Sequence, residues 1–384
     1  MRFDFVPFFH PGENIPWNHT TNMMREQTRV GEQAGFTTVW LTEHHFAHNG
    51  YLNATPNPIL MCADLAARHN KIRVGQAPVV LPDWHPLRVA EDIALLDNMT
   101  EGRVDFGVAR GTNERTCIQF NMDADKRDDK KSYALFRECL DIIVRAWTED
   151  PFKYEGEFYT FPVKGWHETN RMFFPLDKRY HGEDGEYIGM YVHPRPYQQP
   201  HPPVWMMSNA PFTYAHAGRS GYGVIAVMTS INNILACWNA YREAANEARN
   251  QTLSLGENVG LCVTVYVADS MEEAARIIRP SINLYYQFLS GARISGNGMR
   301  QAYLEKGETL TDEQSNSDWF DFLMAKEVIW VGTADYVAEK IEKYRAEINL
   351  QHLMLVQQFP GVPFEDIMSS MSKFSEHVIP RFSE

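Results

Sequence analysis

The amino-acid sequence predicts an α/β protein whose fold is a (β/α)8 TIM barrel, with insertions after the fourth and the seventh strand. Three observations lead to this prediction. Short apolar runs of β-type residues alternate with amphipathic segments of helical period. The connections between the runs are too long for hairpins, which indicates parallel strands joined by helical crossovers. Eight such strands favour a closed barrel over an open doubly wound sheet.

The strands and helices can be assigned in chain order. The predicted strands cover residues 2–9, 36–41, 72–81, 102–110, 204–208, 223–228, 259–268 and 353–356. The predicted helices cover residues 20–33, 58–69, 87–99, 128–148, 231–250, 271–289, 334–347 and 364–382, and a further helix begins near residue 209. An apolar stretch at residues 328–331 leads into the helix at 334–347.

Glycine and proline mark the ends of several elements. Gly35 follows the first helix, where a glycine commonly ends a helix. Pro78 lies inside the third predicted strand, although proline cannot donate a hydrogen bond to a neighbouring strand. Pro78 therefore requires a bulge, an edge position or a cis peptide bond. Pro211 suits the first turn of the helix that begins near Asn209 or Ala210.

Two irregular segments interrupt the alternation of strands and helices. Residues 151–203 contain aromatic, glycine and proline residues without a steady period, with short strands predicted at 158–161 and 187–193. Residues 290–327 form the second insertion. Long irregular segments inside a compact domain are usually lids or binding loops. The chain is predicted to be a single domain, residues 1–384.

Composition excludes several classes of function. A formal net charge of −13 argues against binding to nucleic acid or to an anionic membrane surface. The five cysteines are scattered and lack a CxxC pair, which favours a reducing cytoplasm over a disulfide framework. A signal peptide and a bilayer-spanning apolar run are both missing from the sequence. These features predict a protein of the reducing cytoplasm.

Polar side chains follow several strands at the point where each ends. The second strand runs directly into Glu43, His44 and His45, His85 follows the third strand, and Arg110 ends the fourth. In a barrel of parallel strands these positions converge on the face that carries catalysis. An isolated histidine is more often a structural group, so this pattern has a structural alternative. Side chains alternate along a strand, so three consecutive residues cannot all reach one ion, and no metal site is predicted.

Arg110 and the start of the helix near residue 209 suggest an anion site. A helix N-terminus presents unpaired N–H groups, and arginine adds a planar fork of donors. The structural alternative is that Arg110 pairs with a nearby carboxylate such as Glu114. The sequence has no GxGxxG after the first strand, no phosphate-binding P-loop and no GxSxG elbow, so nicotinamide-dinucleotide, nucleotide triphosphate and serine-hydrolase sites are not indicated.

Four blocks of the sequence resemble the bacterial luciferase-like, flavin-dependent monooxygenases. The blocks are residues 35–46 (GFTTVWLTEHHF), 80–92 (VLPDWHPLRVAED), 95–103 (LLDNMTEGR) and 106–111 (FGVARG). The segments at 204–213 and 331–333 extend the resemblance over nearly the whole chain. The resemblance implies a TIM barrel that binds FMN as FMNH2, supplied by a separate NAD(P)H:flavin reductase. It further implies that O2 reacts at the flavin C4a position and that the resulting peroxyflavin oxidises a small, largely apolar organic substrate.

The resemblance also assigns roles to individual residues. His44 matches the essential imidazole near the reactive edge of the flavin, and Glu43 and His85 match residues that line the site. The Ala77-Pro78 peptide matches the one that packs against the flavin ring and is cis in relatives. The residues matching the phosphate-binding group are Arg110, Ser208, Asn209, Ala210 and Thr213. A homodimer is expected on the same ground.

Three features depart from the luciferase pattern. Ala109 stands in place of a reactive cysteine, Asn209 in place of an acidic residue, and the insertion at 162–190 is longer. The long insertion argues against an aldehyde substrate and light emission. Two alternative functions remain open at this point. One is a deazaflavin-dependent oxidoreductase that transfers hydride, and the other is a non-catalytic flavin-binding barrel.

Overall fold

The structure of the protein is a computed structural model. It describes residues 1–7, 15–46, 55–111, 114–170, 172–173, 175–250, 252–292, 296–305, 307–357 and 359–382. His10, which follows the first predicted strand, lies outside these residues.

Strands and helices alternate along the described chain much as the sequence predicts. The strands are β1 (Arg2–Val6), β2 (Thr38–Leu41), β3 (Arg73–Gln76), β4 (Val79–Val80), β5 (Val104–Ala109), β6 (Tyr154–Glu155), β7 (Thr160–Phe161), β8 (Val204–Met207), β9 (Gly223–Val227), β10 (Val259–Val267), β11 (Ile329–Gly332) and β12 (His352–Val356). The helices are α1 (Trp17–Gln33), α2 (Pro58–Ala66), α3 (Pro86–Met99), α4 (Glu114–Phe120), α5 (Asp129–Thr148), α6 (Pro211–Ser220), α7 (Ile231–Arg249), α8 (Met271–Ala292), α9 (Gly296–Gln301), α10 (Asp312–Asn316), α11 (Trp319–Ala325), α12 (Ala334–Ile348) and α13 (Phe364–His377).

Residue contacts divide the chain into two compact units. The first unit comprises Met1–Pro78 and Val204–Glu384, and the second comprises Val79–Pro203. Each unit is described by itself below. The expectation of a single domain over residues 1–384 stays a prediction.

In the first unit the strands pair in parallel in their chain order. β1 pairs with β2, and β2 pairs with β3. β8 pairs with β9, β9 with β10, and β10 with β12. β12 then pairs with β1, from Arg2 opposite His352 to Val6 opposite Val356. Pairing of the last strand with the first is the order that a (β/α)8 barrel requires.

Large aromatic side chains fill the space between these strands. Trp40 on β2 and Trp205 on β8 meet edge to face, with ring centroids 6.2 Å apart. They pack with Ile225 and Met354 in one buried cluster. Burial of such side chains contributes roughly 1.5–3 kcal/mol each, so this cluster is a major source of stability for the strands.

A buried carboxylate ties three strands of the first unit together. Asp4 on β1 accepts hydrogen bonds from Thr38 N at 3.1 Å and from Trp40 Nε1 at 2.8 Å. Its Oδ2 lies 2.7 Å from Nε2 of His352 on β12 and 2.9 Å from the Arg2 guanidinium. Burial raises the pKa of Asp4, but the charges of Arg2 and His352 and these hydrogen bonds outweigh burial and lower the pKa to about 2. The network anchors β1, β2 and β12 to one another.

The second unit carries β4 and β5 as a parallel pair and the first insertion as irregular chain around a short hairpin. β6 and β7 pair in antiparallel fashion. Glu138, buried on α5, accepts hydrogen bonds from the backbone N–H groups of Glu157, Phe158 and Tyr159 at 2.9, 3.0 and 2.8 Å. One carboxylate therefore fixes the turn of the hairpin to α5 and determines where Tyr159 lies.

Several local predictions were wrong. The third predicted strand, 72–81, is divided into β3 and β4 at Pro78, because proline has no N–H group to donate to a neighbouring strand. A strand was predicted at 187–193, but Tyr187 and Met190 only form isolated bridges, to His181 and Phe152. Each bridge joins only one pair of residues, so the pairing does not extend into a strand. The second insertion was predicted to be irregular, yet it contains α9, α10 and α11.

Among the described residues, none of the helices combines the length and apolar character needed to span a bilayer. All five cysteines are described and buried, and none of them forms a disulfide.

Candidate active site

Glu43 and His45 lie just beyond the carboxyl end of β2 and contact each other. Nε2 of His45 is 2.7 Å from Oε1 of Glu43. The Glu43 side chain is fully buried, and that of His45 is 12% exposed. The contact therefore ties together the two residues that flank His44.

His44 is half-buried between these two residues. Its backbone N–H donates to the carbonyl oxygen of Thr55 at 3.0 Å, which attaches this stretch to the chain leading into α2. Phe46, two residues on, has a φ of 62° and is 58% exposed. A bulky residue in this region of backbone space is uncommon, and such conformations cluster at functional sites.

The Ala77-Pro78 peptide bond is cis. The sequence left a bulge, an edge position and a cis bond open for Pro78, and the resemblance implied the cis form. The finding agrees with that implication and places an unusual backbone geometry directly after β3.

His85 precedes α3 and packs against aromatic rings of the first insertion. Its ring centroid is 5.7 Å from that of Tyr159 and 5.6 Å from that of Phe161. Burial lowers the pKa of His85, as does the charge of Arg88, while Glu91 opposes the shift. The imidazole is therefore neutral over a wider pH range than a histidine in water, and beside aromatic faces it suits an apolar ligand.

Arg110 follows β5 and pairs with a carboxylate. Its guanidinium contacts the side chain of Asp129 and donates to the backbone carbonyl oxygen of Asp129 at 3.2 Å. It also lies 5.9 Å from the ring centroid of Tyr133. The structural alternative for Arg110 anticipated a carboxylate partner such as Glu114, and the partner in the structure is Asp129, fifteen residues further along the chain than Glu114.

Lys126 adds a second cation to the turn that follows Arg110. Its Nζ donates to the carbonyl oxygen of Gly111. Burial lowers the pKa of Lys126 to about 8, and the charge of Arg110 acts in the same direction. Since Lys126 bonds to the residue that follows Arg110, two cationic side chains lie at this turn, and cations of this kind bind phosphate esters.

The start of α6 carries the remaining predicted residues of the phosphate-binding group. Ser208 Oγ accepts a hydrogen bond from Ala210 N at 3.1 Å. Ala210 caps α6 without a side-chain hydrogen bond, and Pro211 occupies the first turn as predicted. Thr213 is buried one turn further along. The helix start thus combines two hydroxyl groups with the positive end of a helix dipole.

Asn209 connects the ends of β8 and β9. Its Nδ2 donates to the carbonyl oxygen of Val227, and its Oδ1 accepts from Val227 N, both at 2.8 Å. The residue needs a donor and an acceptor on one planar group, which an amide has and a carboxylate lacks. This explains why Asn209 departs from the acidic residue of the luciferase pattern.

Replacing Asn209 with aspartate is expected to lower the free energy of unfolding by about 0.5–1.5 kcal/mol, because one hydrogen bond is lost and two oxygens face each other at an exposed position. Urea denaturation of the ligand-free protein measures the loss. Asn209→Ala serves as the comparison, since it removes both bonds without the repulsion. An Asn209→Asp variant as stable as the wild type would contradict this role.

Sequence reasoning missed Lys126, Asp129, Tyr159 and Phe161. Lys126 and Asp129 lie in a charged stretch of the chain that looks like an ordinary solvated surface. Tyr159 and Phe161 lie in the first insertion, where no period indicates which rings face His85. The spacing of Glu43 and His45 was a readable signal for their contact.

Two solved structures share the fold of the whole chain. The oxygenating constituent of 3,6-diketocamphane monooxygenase from Pseudomonas putida, a type II Baeyer–Villiger monooxygenase in complex with FMN, matches with a TM-score of 0.75 at 21% identity, covering 99% of this chain and 98% of that one. The coenzyme F420-dependent tetrahydromethanopterin reductase from Methanopyrus kandleri matches with a TM-score of 0.64 at 17% identity, covering 100% of both chains. The predicted (β/α)8 TIM barrel is confirmed as the fold class.

The fold is that of a TIM barrel. The model of the family described as luciferase-like monooxygenase matches residues 1–348. The chain belongs to this family, and the predicted enzyme class, a flavin-dependent monooxygenase, is confirmed at the level of the family. A relative is the oxygenase component of flavin-dependent trigonelline monooxygenase from Acinetobacter baylyi, 25% identical over 392 residues that cover 100% of this chain and 96% of the relative.

Proposed function

We propose that this protein is the oxygenase component of a two-component monooxygenase. It takes FMNH2 from a separate NAD(P)H:flavin reductase and uses O2 to oxidise a small, largely apolar organic molecule. The relative from Acinetobacter baylyi is named as an oxygenase component, which supports the two-component arrangement. We further propose that the protein acts as a homodimer in the cytoplasm.

The observation that carries this proposal is the anchored backbone of His44 at the end of β2. Glu43 and His45 bind each other on either side of His44, and the backbone of His44 is tied to Thr55. A histidine in a fixed backbone exchanges a proton near neutral pH with little reorganisation. We propose that His44 donates or accepts that proton at the substrate or at the reacting oxygen.

The residues of the chain fit FMN by their chemistry. Arg110 and Lys126 supply the cations that a phosphate group needs, and the ion pair between Arg110 and Asp129 supports an anion site at this turn. We propose that Arg110, together with Ser208, Asn209, Ala210 and Thr213, holds the phosphate. We propose that the cis Ala77-Pro78 peptide supports the flavin ring. When bound, reduced FMN supplies the electrons that activate O2.

Glu43 and His85 complete the proposed site with different roles. Glu43 keeps the stretch around His44 in place through its contact with His45. His85, with Tyr159 and Phe161, forms an aromatic surface on which an apolar substrate can lie. Exclusion of water by such a surface protects the oxidising chemistry from side reactions.

Hydride transfer with a deazaflavin is the second candidate, because an F420-dependent reductase shares the fold. Titrating the protein anaerobically with FMNH2 and with reduced F420 separates the two. We expect FMNH2 to bind. We also expect a labelled product when the protein is incubated with a generic flavin reductase, isotopically labelled O2 and a panel of small molecules. If the protein binds reduced F420 but does not bind FMNH2, the second candidate is established instead. Tight FMNH2 binding with no labelled product from any candidate would favour a non-catalytic flavin-binding barrel.

A further inference from the structure

The first insertion surrounds an open cavity of about 270 Å³. One wall is the hairpin of β6 and β7, with Tyr154 and Phe161, and the other is the stretch at residues 186–188, with Tyr187 and Ile188. All of these residues belong to the second unit. The volume is near the lower end of the range for ligand pockets, roughly 300–1,000 Å³, so the cavity has room for a molecule of one or two rings.

The cavity exists because two extended segments of the insertion separate. Phe152 and Met190 form an antiparallel bridge with two backbone hydrogen bonds, at 2.8 and 2.9 Å. If the pairing continued in this register, Tyr154 would lie opposite Ile188. Instead, the N–H group of Ile188 donates to the carbonyl oxygen of Tyr180 at 2.8 Å. The two segments therefore diverge, and residues of both line the space between them.

The hairpin wall is fixed by residues that do not line the cavity. The Arg145 guanidinium donates to the carbonyl oxygen of Lys153 at 2.9 Å and lies 5.1 Å from the ring centroid of Tyr154. The ring of Phe161 meets that of His85 edge to face, with the centroids 5.6 Å apart. Neither contact requires a ligand, so this wall is in place before a ligand binds.

The opposite wall is held by the chain that precedes it. The N–H group of Tyr187 donates to the carbonyl oxygen of Trp166 at 2.8 Å, and the two rings meet edge to face with centroids 5.8 Å apart. Burial raises the pKa of Tyr187, so its phenol stays neutral and presents an uncharged aromatic ring. A cavity with both walls already formed loses little conformational entropy when it binds a ligand.

The charged side chains around the cavity include one ammonium group without a carboxylate partner. Lys164 pairs with Glu155 at 2.6 Å, and Oε1 of Glu186 accepts a hydrogen bond from the N–H group of Gly165 at 2.8 Å. Lys153 also lines the cavity and is exposed, and within the described part of the chain no carboxylate pairs with it. Aromatic walls favour a planar apolar group, and the unpaired ammonium favours one negative charge on it.

We propose that this cavity binds a small aromatic carboxylate, with the aromatic ring between Phe161 and Tyr187 and the carboxylate at Lys153. The site goes beyond the proposed function, because all of its residues belong to the first insertion and none of them is proposed to hold the flavin. The insertion then recognises an anionic aromatic molecule, in addition to supplying the rings of Tyr159 and Phe161 that pack against His85.

The experiment uses three naphthalene derivatives that share one ring system and differ in charge: 2-naphthoate, 2-naphthylmethanol and 2-naphthylmethylammonium. Isothermal titration calorimetry at neutral pH measures their dissociation constants, with and without excess FMN. We expect naphthoate to bind most tightly and the ammonium compound most weakly, and FMN to leave the affinity for naphthoate unchanged. Equal affinities for the three compounds, no saturable binding of naphthoate, or its displacement by FMN would overturn the inference.

Substitutions at the cavity separate the contribution of the charge from that of the ring. Lys153→Met should weaken the binding of naphthoate about fivefold and leave that of naphthylmethanol unchanged. Tyr187→Leu should weaken the binding of both compounds by about fivefold to tenfold, because it removes an aromatic wall. Tyr187→Phe keeps the ring and should bind both compounds as the wild type does.

The control for net charge is Lys178→Met, which removes an exposed lysine of the same insertion that does not line the cavity. This variant should bind naphthoate as tightly as the wild type does. If Lys153→Met also did so, with circular dichroism showing a folded protein, the inference would be wrong. The proposed function would stand in that case, since its tests measure flavin binding and a labelled product.

Discussion

Replacing His44 with alanine is expected to lower kcat for product formation by about 10²–10⁴-fold, the range that a positioned proton-transfer group contributes. Binding of FMN should change less than about threefold, because the residues proposed to hold the phosphate and the ring belong to other segments. The reason is local: Glu43 and His45 fix the backbone on either side of His44, so the truncated residue leaves the surrounding stretch in place. Product analysis in the presence of excess reductase gives kcat, and a flavin titration gives the affinity.

His44→Gln and His45→Gln sharpen this test. Glutamine at position 44 keeps a hydrogen-bonding group but cannot carry a proton near neutral pH, so it should be nearly as inactive as alanine. Glutamine at position 45 can still donate to Glu43, so that variant should keep most of the activity. If His45→Gln lost as much activity as His44→Ala, the proton-transfer role would belong to the Glu43–His45 pair instead.

The positions of these residues could be predicted because they depend on local pattern. The apolar run of β2 ends abruptly at polar residues, and the strand period alone places Glu43 and His45 on one side. The cis form of Ala77-Pro78 was implied by the resemblance, while the sequence alone required a bulge, an edge position or a cis peptide bond at Pro78. Both signals lie within a few neighbouring residues, which is the range over which periodicity and turn chemistry operate.

The rest depends on contacts between distant parts of the chain. Lys126 bonds to Gly111 although α4 lies between them in the chain, and Asp4 on β1 meets His352 on β12 at opposite ends of the sequence. A charged residue in a strand of apolar period is normally assigned to the solvent face. Asp4 is buried because two other strands, β2 and β12, supply hydrogen bonds to its carboxylate, and no short window of sequence contains that information.

Replacing Asp4 with asparagine is expected to lower the free energy of unfolding by about 3–5 kcal/mol at neutral pH, because it leaves the cationic Arg2 facing a neutral amide in a buried site. The carboxylate serves Thr38 N, Trp40 Nε1 and His352 Nε2 at once, and an amide oxygen cannot replace both of its oxygens. Urea denaturation of the ligand-free protein measures the loss. Asp269→Asn is the matched control, since Asp269 is 76% exposed in its pair with Lys373, and removing such a pair should cost less than about 1 kcal/mol.

The pH dependence of the Asp4 effect has a defined sign. The pKa of Asp4 falls from 3.8 to about 2 on folding. At a pH above the pKa of Asp4 in the unfolded chain, its charged form therefore stabilises the native state by about 2 kcal/mol. That contribution is lost as the pH falls from about 4 towards about 2, because the unfolded chain takes up the proton first. The difference in stability between wild type and Asp4→Asn should therefore be constant from pH 5 to pH 7 and narrow below about pH 4. A difference that stayed constant down to about pH 3 would show that the hydrogen-bonding pattern of Asp4, rather than its charge, holds β1, β2 and β12 together.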